Sequence, residues 1–423
     1  MIEKRSNWAG NLTYSAARLH YPTTIEQIQA LVNRGSKLKV LGTGHSFNAI
    51  ADTPADLICL SHFEPPVEFD HTRRTVTIGG GVTYGQLCPQ LQQEGYALPN
   101  LASLPHISVV GAVATATHGS GNHNGNLATS IAALEIITAD GKLVQLSRNQ
   151  DGEQFEGAVV ALGGLGVVTR LTLDLVPAFE MRQDVYENLP LAQLVDHFDD
   201  IVASAYSVSL LTDWQNEQIT QVWLKRPITP DLTFDLAAEF FGAKLATTQR
   251  HPIAYLSAEN CTEQLGIPGH WYTRLPHFRM GFKPSNGEEL QSEYLIPRQH
   301  AVAALQAIAS LRDQLAPLLQ VSEMRTIAAD GLWMSPCYQQ ACVAFHFTWK
   351  KDWEAVRLLL PQIEAQLAPF NARPHWGKLF TLPAPYVQSC YVRLPDFQRL
   401  LQTYDPQGKF RNPFLDTYIF GKF

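Results

Sequence analysis

The sequence has few cysteines and no hydrophobic run long enough to cross a membrane. Its six cysteines, at positions 59, 88, 261, 337, 342 and 390, show no CxxC spacing, which argues against a zinc site or a disulfide framework. The most conspicuous apolar stretch, 158–168, is interrupted by glycines and is shorter than the roughly 20 residues of a membrane helix. The first residues lack the apolar core of a secretory signal. We therefore expect reduced thiols and a cytoplasmic location.

Positive charge is also scarce, with 32 Lys and Arg against 39 Asp and Glu and no polybasic run. This balance argues against nucleic acid or an anionic membrane as a partner. His118 and His123 are separated by Gly-Ser-Gly-Asn, which offers a metal no fixed face, so no metal site is expected. At 423 residues the chain is too long for one compact core, and we expect two or three domains in a monomeric protein.

Helix and strand signals alternate in the first third of the chain. Thr23-Thr-Ile-Glu26 predicts a capping box at the start of a helix. Strands are predicted at 38–41 and 167–175, and a hairpin at 131–146 around the turn Ala139-Asp-Gly141. Later in the chain a helix is predicted over 298–315.

Two glycine-rich stretches, 41–48 (LGTGHSFN) and 111–121 (GAVATATHGSG), suggest loops that close on one large anionic cofactor. Glycine lets the backbone approach a ligand closely, and clustered backbone N–H groups favour phosphate. The pattern Gly42-x-Gly44-x-x-Phe47 lacks the third glycine of the nicotinamide-binding fingerprint, which argues against that cofactor. Taken alone, the first stretch is also compatible with a glycine turn that carries an incidental histidine.

Two strand-like segments carry one polar face each. In 320–327, alternation places Glu323 and Arg325 on the same side, and in 342–350 it places His346 and Thr348 together. The opposite face of the second segment is apolar and must pack on a core. From the residues alone, the polar faces either meet solvent or line a binding cavity.

Taken together, these motifs resemble the vanillyl-alcohol-oxidase type of FAD oxidoreductases, and within it the alditol oxidases. The passages that carry the resemblance are 7–11 (NWAGN), 42–48 (GTGHSFN), 102–108 (ASLPHIS), 322–326 (SEMRT), 375–378 (HWGK) and 405–410 (DPQGKF). The resemblance spans nearly the whole chain. It implies an α+β fold, in which a two-subdomain PCMH-type FAD-binding domain (1–178) precedes a substrate domain on an antiparallel sheet flanked by helices (179–385). A C-terminal segment (386–423) would return to the FAD domain.

For the cofactor, the resemblance implies FAD bound covalently through His45 to the 8α-methyl group of the flavin. A neutral imidazole is a suitable nucleophile for that bond. No cysteine lies between 101 and 130, where some relatives supply a second link, so a single link is expected. The other cofactor-binding residues that it implies are Leu41, Gly42, Thr43, Gly44, Ser46, Phe47, Ser103, Ser108, Gly111, Thr115, Ala116, Thr117, His118, Val168 and His375.

For the substrate, the resemblance implies a polyol such as xylitol or sorbitol, whose terminal hydroxyl is oxidised to an aldehyde while O2 is reduced to H2O2. Glu323, Arg325 and Lys378 are implied as the catalytic residues, and they would also bind the substrate. Ser103, His346 and Thr348 would complete the substrate site. An uncharged polyol requires several donors and acceptors in an enclosed pocket, which these residue types supply.

Ala102 would lie beside the flavin edge where relatives admit or exclude oxygen, and a small residue there is compatible with an oxidase. Two alternatives stay open at this point. One is a sugar-lactone oxidase or dehydrogenase of the same flavoprotein family. The other is a non-catalytic carbohydrate-binding protein, which would leave His45 without a role.

Overall fold

A computed structural model of the chain describes residues 5–229, 237–282 and 287–421. The strands are β1 Arg18–His20, β2 Leu38–Val40, β3 Asp56–Ile58, β4 Glu68–Asp70, β5 Thr75–Gly79, β6 Tyr96–Ala97, β7 Ile131–Ile137, β8 Leu143–Ser147, β9 Val167–Asp174, β10 Val176–Pro177, β11 Glu180–Pro190, β12 Ser207–Thr212, β13 Gln218–Pro227, β14 Glu239–Phe240, β15 Ala243–Leu245, β16 Gly269–His270, β17 Glu289–Pro297, β18 Leu319–Ile327, β19 Cys342–Lys350 and β20 Arg373–Pro374. The helices are α1 Ile25–Arg34, α2 Tyr84–Gln93, α3 Val109–Ala114, α4 Arg148–Val159, α5 Leu191–Asp196, α6 Phe198–Ala203, α7 Ala301–Ala309, α8 Arg312–Leu315, α9 Trp353–Leu367, α10 Ala384–Ser389, α11 Leu394–Tyr404 and α12 Pro413–Tyr418.

Two sheets organise the N-terminal part of the chain. The first is parallel, in the order β1-β3-β2, and the glycine stretch 41–48 leaves it directly after β2. The second is antiparallel, in the order β4-β5-β9-β7-β8, and contains the predicted hairpin as β7 and β8. The strands of both sheets supply the buried aliphatic side chains that their sequence pattern predicts.

A ten-stranded sheet organises the second part, in the order β14-β15-β11-β13-β12-β18-β19-β17-β20, with β16 on β11. Its strand pairs are antiparallel. On β19, Val343, Phe345, Phe347 and Trp349 are at most 1% exposed, as the apolar face of that segment predicts. Helices α7 and α9 pack on each other and α7 packs on β17. The expected α+β class is confirmed.

The C-terminal segment packs against the first part of the chain. The Lys409 ammonium donates to the carbonyls of Val32 at 2.6 Å and Ala139 at 2.7 Å. The Asn412 side chain donates to the carbonyl of Ala49 at 3.0 Å. The exact domain bounds stay a prediction.

Two local predictions need correction. The cap of α1 is Thr24, whose hydroxyl accepts from the N–H of Gln27, so the capping pattern lies one residue further along than Thr23–Glu26. The helix predicted over 298–315 is divided into a 3-10 turn, α7 and α8. The division falls at Leu311, whose φ of −96° and ψ of 3° are not helical.

Candidate active site

One cavity of about 470 Å³ lies between the glycine-rich loops and the polar face of the ten-stranded sheet. Most residues predicted for cofactor or substrate line it. They are Leu41, Gly42, Thr43, Gly44, His45, Ser46, Phe47, Ser103, Ser108, Gly111, Thr115, Thr117, His118, Glu323, Arg325, His346, Thr348, His375 and Lys378. The cavity therefore joins motifs that are more than 300 residues apart in the chain.

Ala116 and Val168 do not line this cavity. Ala116 is buried with a φ of +52°, and this turn lets Thr115 and Thr117 on either side both reach the cavity. Val168 lies in β9, paired with Ile136. The cofactor contacts proposed for these two residues stay predictions.

The glycine loop is held by the N-terminal segment. The Trp8 N–H donates to the Gly44 carbonyl at 2.8 Å, and the Asn7 side chain donates to the Ser46 carbonyl at 2.9 Å. Gly44 has a φ of +72°, which glycine adopts without strain. A Cβ at Gly42 would lie 2.4 Å from Ser108 Oγ, so this loop and the start of α3 approach each other too closely for a larger residue.

His45 lies at the edge of this loop, and one of its ring nitrogens has no hydrogen-bond partner among the described residues. Its ring stacks on Trp8 with centroids 5.3 Å apart, and Nδ1 lies 3.0 Å from Thr43 Oγ1. Nε2 is buried and has no hydrogen-bond partner among the described residues. Burial, with His106 and Lys378 nearby, lowers the pKa of His45 to about 3. The imidazole is therefore neutral and keeps a lone pair, as attachment to an electrophilic carbon requires.

Glu323 and Arg325 project from β18 into the opposite side of the cavity. Arg325 Nε lies 3.6 Å from Glu323 Oε1, and Arg325 Nη1 donates to Ser103 Oγ at 3.3 Å. Burial raises the pKa of Glu323, but Arg325 and His277 outweigh it and hold that pKa well below its ordinary value. Glu323 is thus a buried carboxylate that stays ionised.

Glu293 on β17 joins the groups of this wall, although no sequence motif singled it out. Its carboxylate lies 2.8 Å from His118 Nε2, 3.1 Å from His346 Nδ1 and 3.5 Å from Arg325 Nη2. Burial raises its pKa, but His118 and His346 outweigh it and hold it well below the ordinary value. The signal that could have found it is alternation, since Glu289, Gln291 and Glu293 share one face of β17.

Lys378 reaches the same cavity from the turn after β20. Its ammonium donates to Gln291 Oε1 and lies 4.9 Å from the centre of the Phe47 ring. Burial lowers its pKa to about 8. This cation therefore lies between the sheet and the glycine loop.

His375 and the hydroxyls complete the ring of polar groups. His375 Nδ1 accepts from the Gly377 N–H at 3.0 Å, and burial lowers its pKa to about 3, so it is a neutral imidazole. Thr348 Oγ1 lies 3.2 Å from His346 Nε2. Lys350, the last residue of β19, is on the same face as His346 and Thr348 by alternation. It is exposed and donates to the Pro317 carbonyl, so it does not line the cavity.

Two further groups behind Glu323 were missed from sequence. His277 Nε2 lies 2.9 Å from Glu323 Oε1, and Lys225 Nζ lies 3.3 Å from His277 Nδ1. His277 comes from the loop after β16 and Lys225 from β13. No motif or periodicity marks either residue, because both depend on contacts across many tens of residues.

Comparison with known proteins identifies this arrangement. A family described as "FAD binding domain" matches residues 16–147, and one described as "D-arabinono-1,4-lactone oxidase" matches residues 285–418. The chain is 48% identical to an alditol oxidase of a Streptomyces species over 419 residues, covering 98% of this chain and 99% of that protein. The chain belongs to the alditol oxidase family.

More distant similarity sets this family in a wider group. The chain is 27% identical to an L-gulono-1,4-lactone dehydrogenase of Mycobacterium tuberculosis, with 97% of each chain covered. The structure of cholesterol oxidase from B. sterolicum matches with a TM-score of 0.79 at 14% identity, covering 98% of this chain and 96% of that one. The PCMH-type fold expected for this member of the alditol oxidase family is confirmed.

Within residues 5–229, 237–282 and 287–421, no helix is long and apolar enough to span a membrane. The same ranges contain no group of three or more His, Cys, Asp or Glu side chains that could hold a metal ion. The cytoplasmic location and monomeric state stay predictions.

Proposed function

We propose that this protein oxidises the terminal primary hydroxyl of alditols such as xylitol and sorbitol to the aldehyde, and that O2 is reduced to H2O2. FAD, attached through His45, would supply the hydride acceptor. The observation that carries the proposal is the shared cavity, in which Glu323, Arg325 and Lys378 face the loop that holds His45. Identity of 48% to an alditol oxidase over nearly the whole chain supports the substrate class.

The residues around the glycine loop fit an FAD molecule. The unpartnered, neutral His45 nitrogen suits a covalent link to the flavin. Residues 41–47, Thr115, Thr117 and His118 line the same cavity, and a glycine-rich loop with nearby hydroxyls suits a pyrophosphate. His375, being neutral and buried, suits contact with the flavin ring.

The sheet wall fits an uncharged, polyhydroxylated substrate. An ionised Glu323 accepts hydrogen bonds from substrate hydroxyls, whereas Arg325 and Lys378 donate. Hydrogen bonds with a charged partner are stronger than those between neutral groups, especially in a buried site. The protein therefore recognises an uncharged molecule mainly through hydrogen bonds between its charged side chains and the hydroxyl groups of that molecule.

The same cations contribute to the reaction. Oxidation of a primary alcohol removes a hydride from the carbinol carbon and a proton from its oxygen. Arg325 and Lys378 stabilise the negative charge that develops on that oxygen, and Glu323 orients the hydroxyl. Ala102, a small buried residue that lines the cavity, leaves room for O2.

The test is peroxide release by the purified protein. We expect yellow protein that keeps its colour in the pellet after acid precipitation, and peroxide with xylitol and sorbitol. Colourless protein would contradict the flavin, and colour lost to the supernatant would contradict the covalent link. Peroxide with gulonolactone but not with xylitol would favour the lactone oxidase, which the match at 285–418 keeps as the alternative.

A variant tests the pocket assignment. Glu323→Ala should retain flavin absorbance but lose polyol turnover, because the hydroxyls lose their charged acceptor. The matched control is Glu354→Ala, since Glu354 is exposed on α9 and pairs only with Arg357 among the described residues. Normal turnover by Glu323→Ala would exclude its role in the pocket.

A further inference from the structure

A row of buried groups extends from the cavity into the ten-stranded sheet, and its consequence for substrate binding rests on the function proposed above. Glu323 and His277 both line the cavity, with His277 Nε2 against Glu323 Oε1, and Lys225 lies behind His277. Glu323, His277 and Lys225 are 6%, 5% and 1% exposed. Lys225 itself does not line the cavity, so it can affect a substrate only through its neighbours.

Three acceptor atoms surround the Lys225 amino group. Its Nζ lies 2.5 Å from the Leu275 carbonyl, 3.1 Å from the Pro276 carbonyl and 3.3 Å from His277 Nδ1. Burial lowers the pKa of Lys225 to about 7, but its N–H groups donate in either protonation state, and the ionised Glu323 carboxylate beside Nε2 can only accept, so Nδ1 is the acceptor for Lys225. The hydrogen of the neutral imidazole then lies on Nε2, which donates it to Glu323 Oε1 at 2.9 Å.

The contacts of the Glu323 carboxylate are unequal. Both His277 Nε2 and Arg325 Nε approach Oε1, at 2.9 Å and 3.6 Å. Among the described residues Oε2 has no hydrogen-bond partner in the protein. An ionised carboxylate has free acceptor capacity on such an oxygen, which suits a substrate hydroxyl.

The loop that carries His277 is also hydrogen-bonded to the segment that carries Ser103. The backbone N–H of His277 donates to the Ser103 carbonyl at 3.2 Å, and the His277 carbonyl accepts from the Thr262 backbone N–H at 2.9 Å. The imidazole packs edge-on against Trp223, with ring centroids 4.9 Å apart. The ring is thus fixed in position, and the placement of its hydrogen depends on Lys225 at Nδ1 together with Glu323 at Nε2.

We infer that Lys225 and His277 are a positioning pair. Lys225 selects the His277 tautomer with hydrogen on Nε2, and that hydrogen holds Oε1 of Glu323 so that Oε2 accepts the substrate hydroxyl. Of the two, only His277 lines the cavity, and the pair acts on the substrate through Glu323. It determines whether the buried carboxylate offers its acceptor in the right direction.

Four variants test the pair, with xylitol as substrate. His277→Leu removes the donor to Glu323, and we expect kcat/KM to fall about 10- to 100-fold, the range for a hydrogen bond to a charged group. His277→Gln places an amide N–H near the Nε2 position and should stay within about threefold of wild type. Lys225→Met should lower kcat/KM by about 3- to 10-fold, because the tautomer is no longer selected. Lys350→Met, the same change at an exposed residue of β19, should leave it unaltered.

The double variant separates positioning from packing. In the His277→Leu background, Lys225→Met should lower kcat/KM by less than about twofold, since the donor that Lys225 positions is already absent. Flavin absorbance and the unfolding midpoint are measured for every variant, so that kinetic losses are compared among folded, flavin-loaded proteins.

Equal losses in His277→Leu and His277→Gln would overturn the pair, as would a Lys225→Met effect that is unchanged in the Leu background. If His277→Leu does not fold, Lys225→Met in the wild-type background decides alone, and an unaltered kcat/KM there would overturn the pair. Wild-type protein without polyol turnover would instead refute the proposed function. Active wild type, inactive Glu323→Ala and normal His277→Leu would refute the pair only.

Discussion

The two walls of the cavity recognise their partners by opposite means. The glycine-loop wall is lined by glycines and by Ser and Thr residues, His45 is neutral, and burial lowers the pKa of Lys39 to about 7. On the sheet wall, Glu293 and Glu323 remain ionised among histidines and cations. A cofactor that carries charged phosphates can be bound by backbone N–H groups. An uncharged polyol forms its strong hydrogen bonds only with charged side chains of the protein.

The largest expected effect comes from removing charge at the centre of the sheet wall. Glu293→Gln leaves His118, His346 and Arg325 without their shared carboxylate and should lower the free energy of unfolding by about 3 to 5 kcal/mol. Polyol turnover should fall as well. Denaturant unfolding with a turnover assay measures both.

Glu364→Gln is the matched control. Burial raises the pKa of Glu364, which accepts from Tyr294 Oη at 2.9 Å and from the Thr381 N–H at 2.6 Å, so its charge is less firmly held. We expect a loss of about 1 kcal/mol there. Equal losses in both variants would break the distinction between a charged wall and ordinary buried acids.

The second effect is a pH dependence of stability at the same wall. Burial lowers the pKa of His277 to about 4, below its value of about 6.5 in the unfolded chain. As pH falls from 6.5 towards 4, His277 is protonated in the unfolded chain but stays neutral in the folded protein, so the free energy of unfolding decreases. Between pH 7 and pH 5, wild type should lose about 2 kcal/mol more than His277→Gln, as measured by denaturant unfolding. Parallel pH curves would contradict the neutral, buried state of His277.

The third effect tests how little the glycine-loop wall depends on single side chains. His45→Ala should abolish acid-stable flavin yet bind FAD non-covalently through the remaining loop, with kcat reduced by about tenfold, or about 1.4 kcal/mol in the barrier. Acid precipitation and turnover with added FAD measure these outcomes. His71→Ala, at an exposed histidine, should keep the covalent flavin. Failure of His45→Ala to bind FAD would show that this wall relies on one side chain after all.

The smallest effect concerns the backbone of that wall. Gly44→Ala places an L-residue at a φ of +72° and should lower the free energy of unfolding by about 1 to 2 kcal/mol. Gly95→Ala makes the same change at an exposed glycine whose φ is +78°, where nothing lies within 4 Å of the new Cβ. Both should be destabilised alike, but only Gly44→Ala should reduce the flavin-to-protein absorbance ratio. Equal ratios would exclude Gly44 from cofactor binding.

The sequence revealed the parts of the site that have a local pattern. Alternation predicted the faces of β18 and β19, with Glu323 opposite His346 in register, and glycine spacing marked the loop around His45. The resemblance placed Lys378, which lies in a turn with no periodicity. Local pattern gave no access to Lys225 and His277, because their contacts form only when β13 and a distant loop meet behind β18.

The position of Glu293 constrains how this protein can evolve. Its one carboxylate contacts His118 from the glycine-rich stretch and His346 from the sheet, so the joint between the two parts of the chain also lines the cavity. A mutation that reshapes this inner end for a new substrate also loosens the joint. Changes of substrate preference are therefore expected to accumulate around Leu256 and Phe282, which line the cavity, are partly exposed and share no such bond among the described residues.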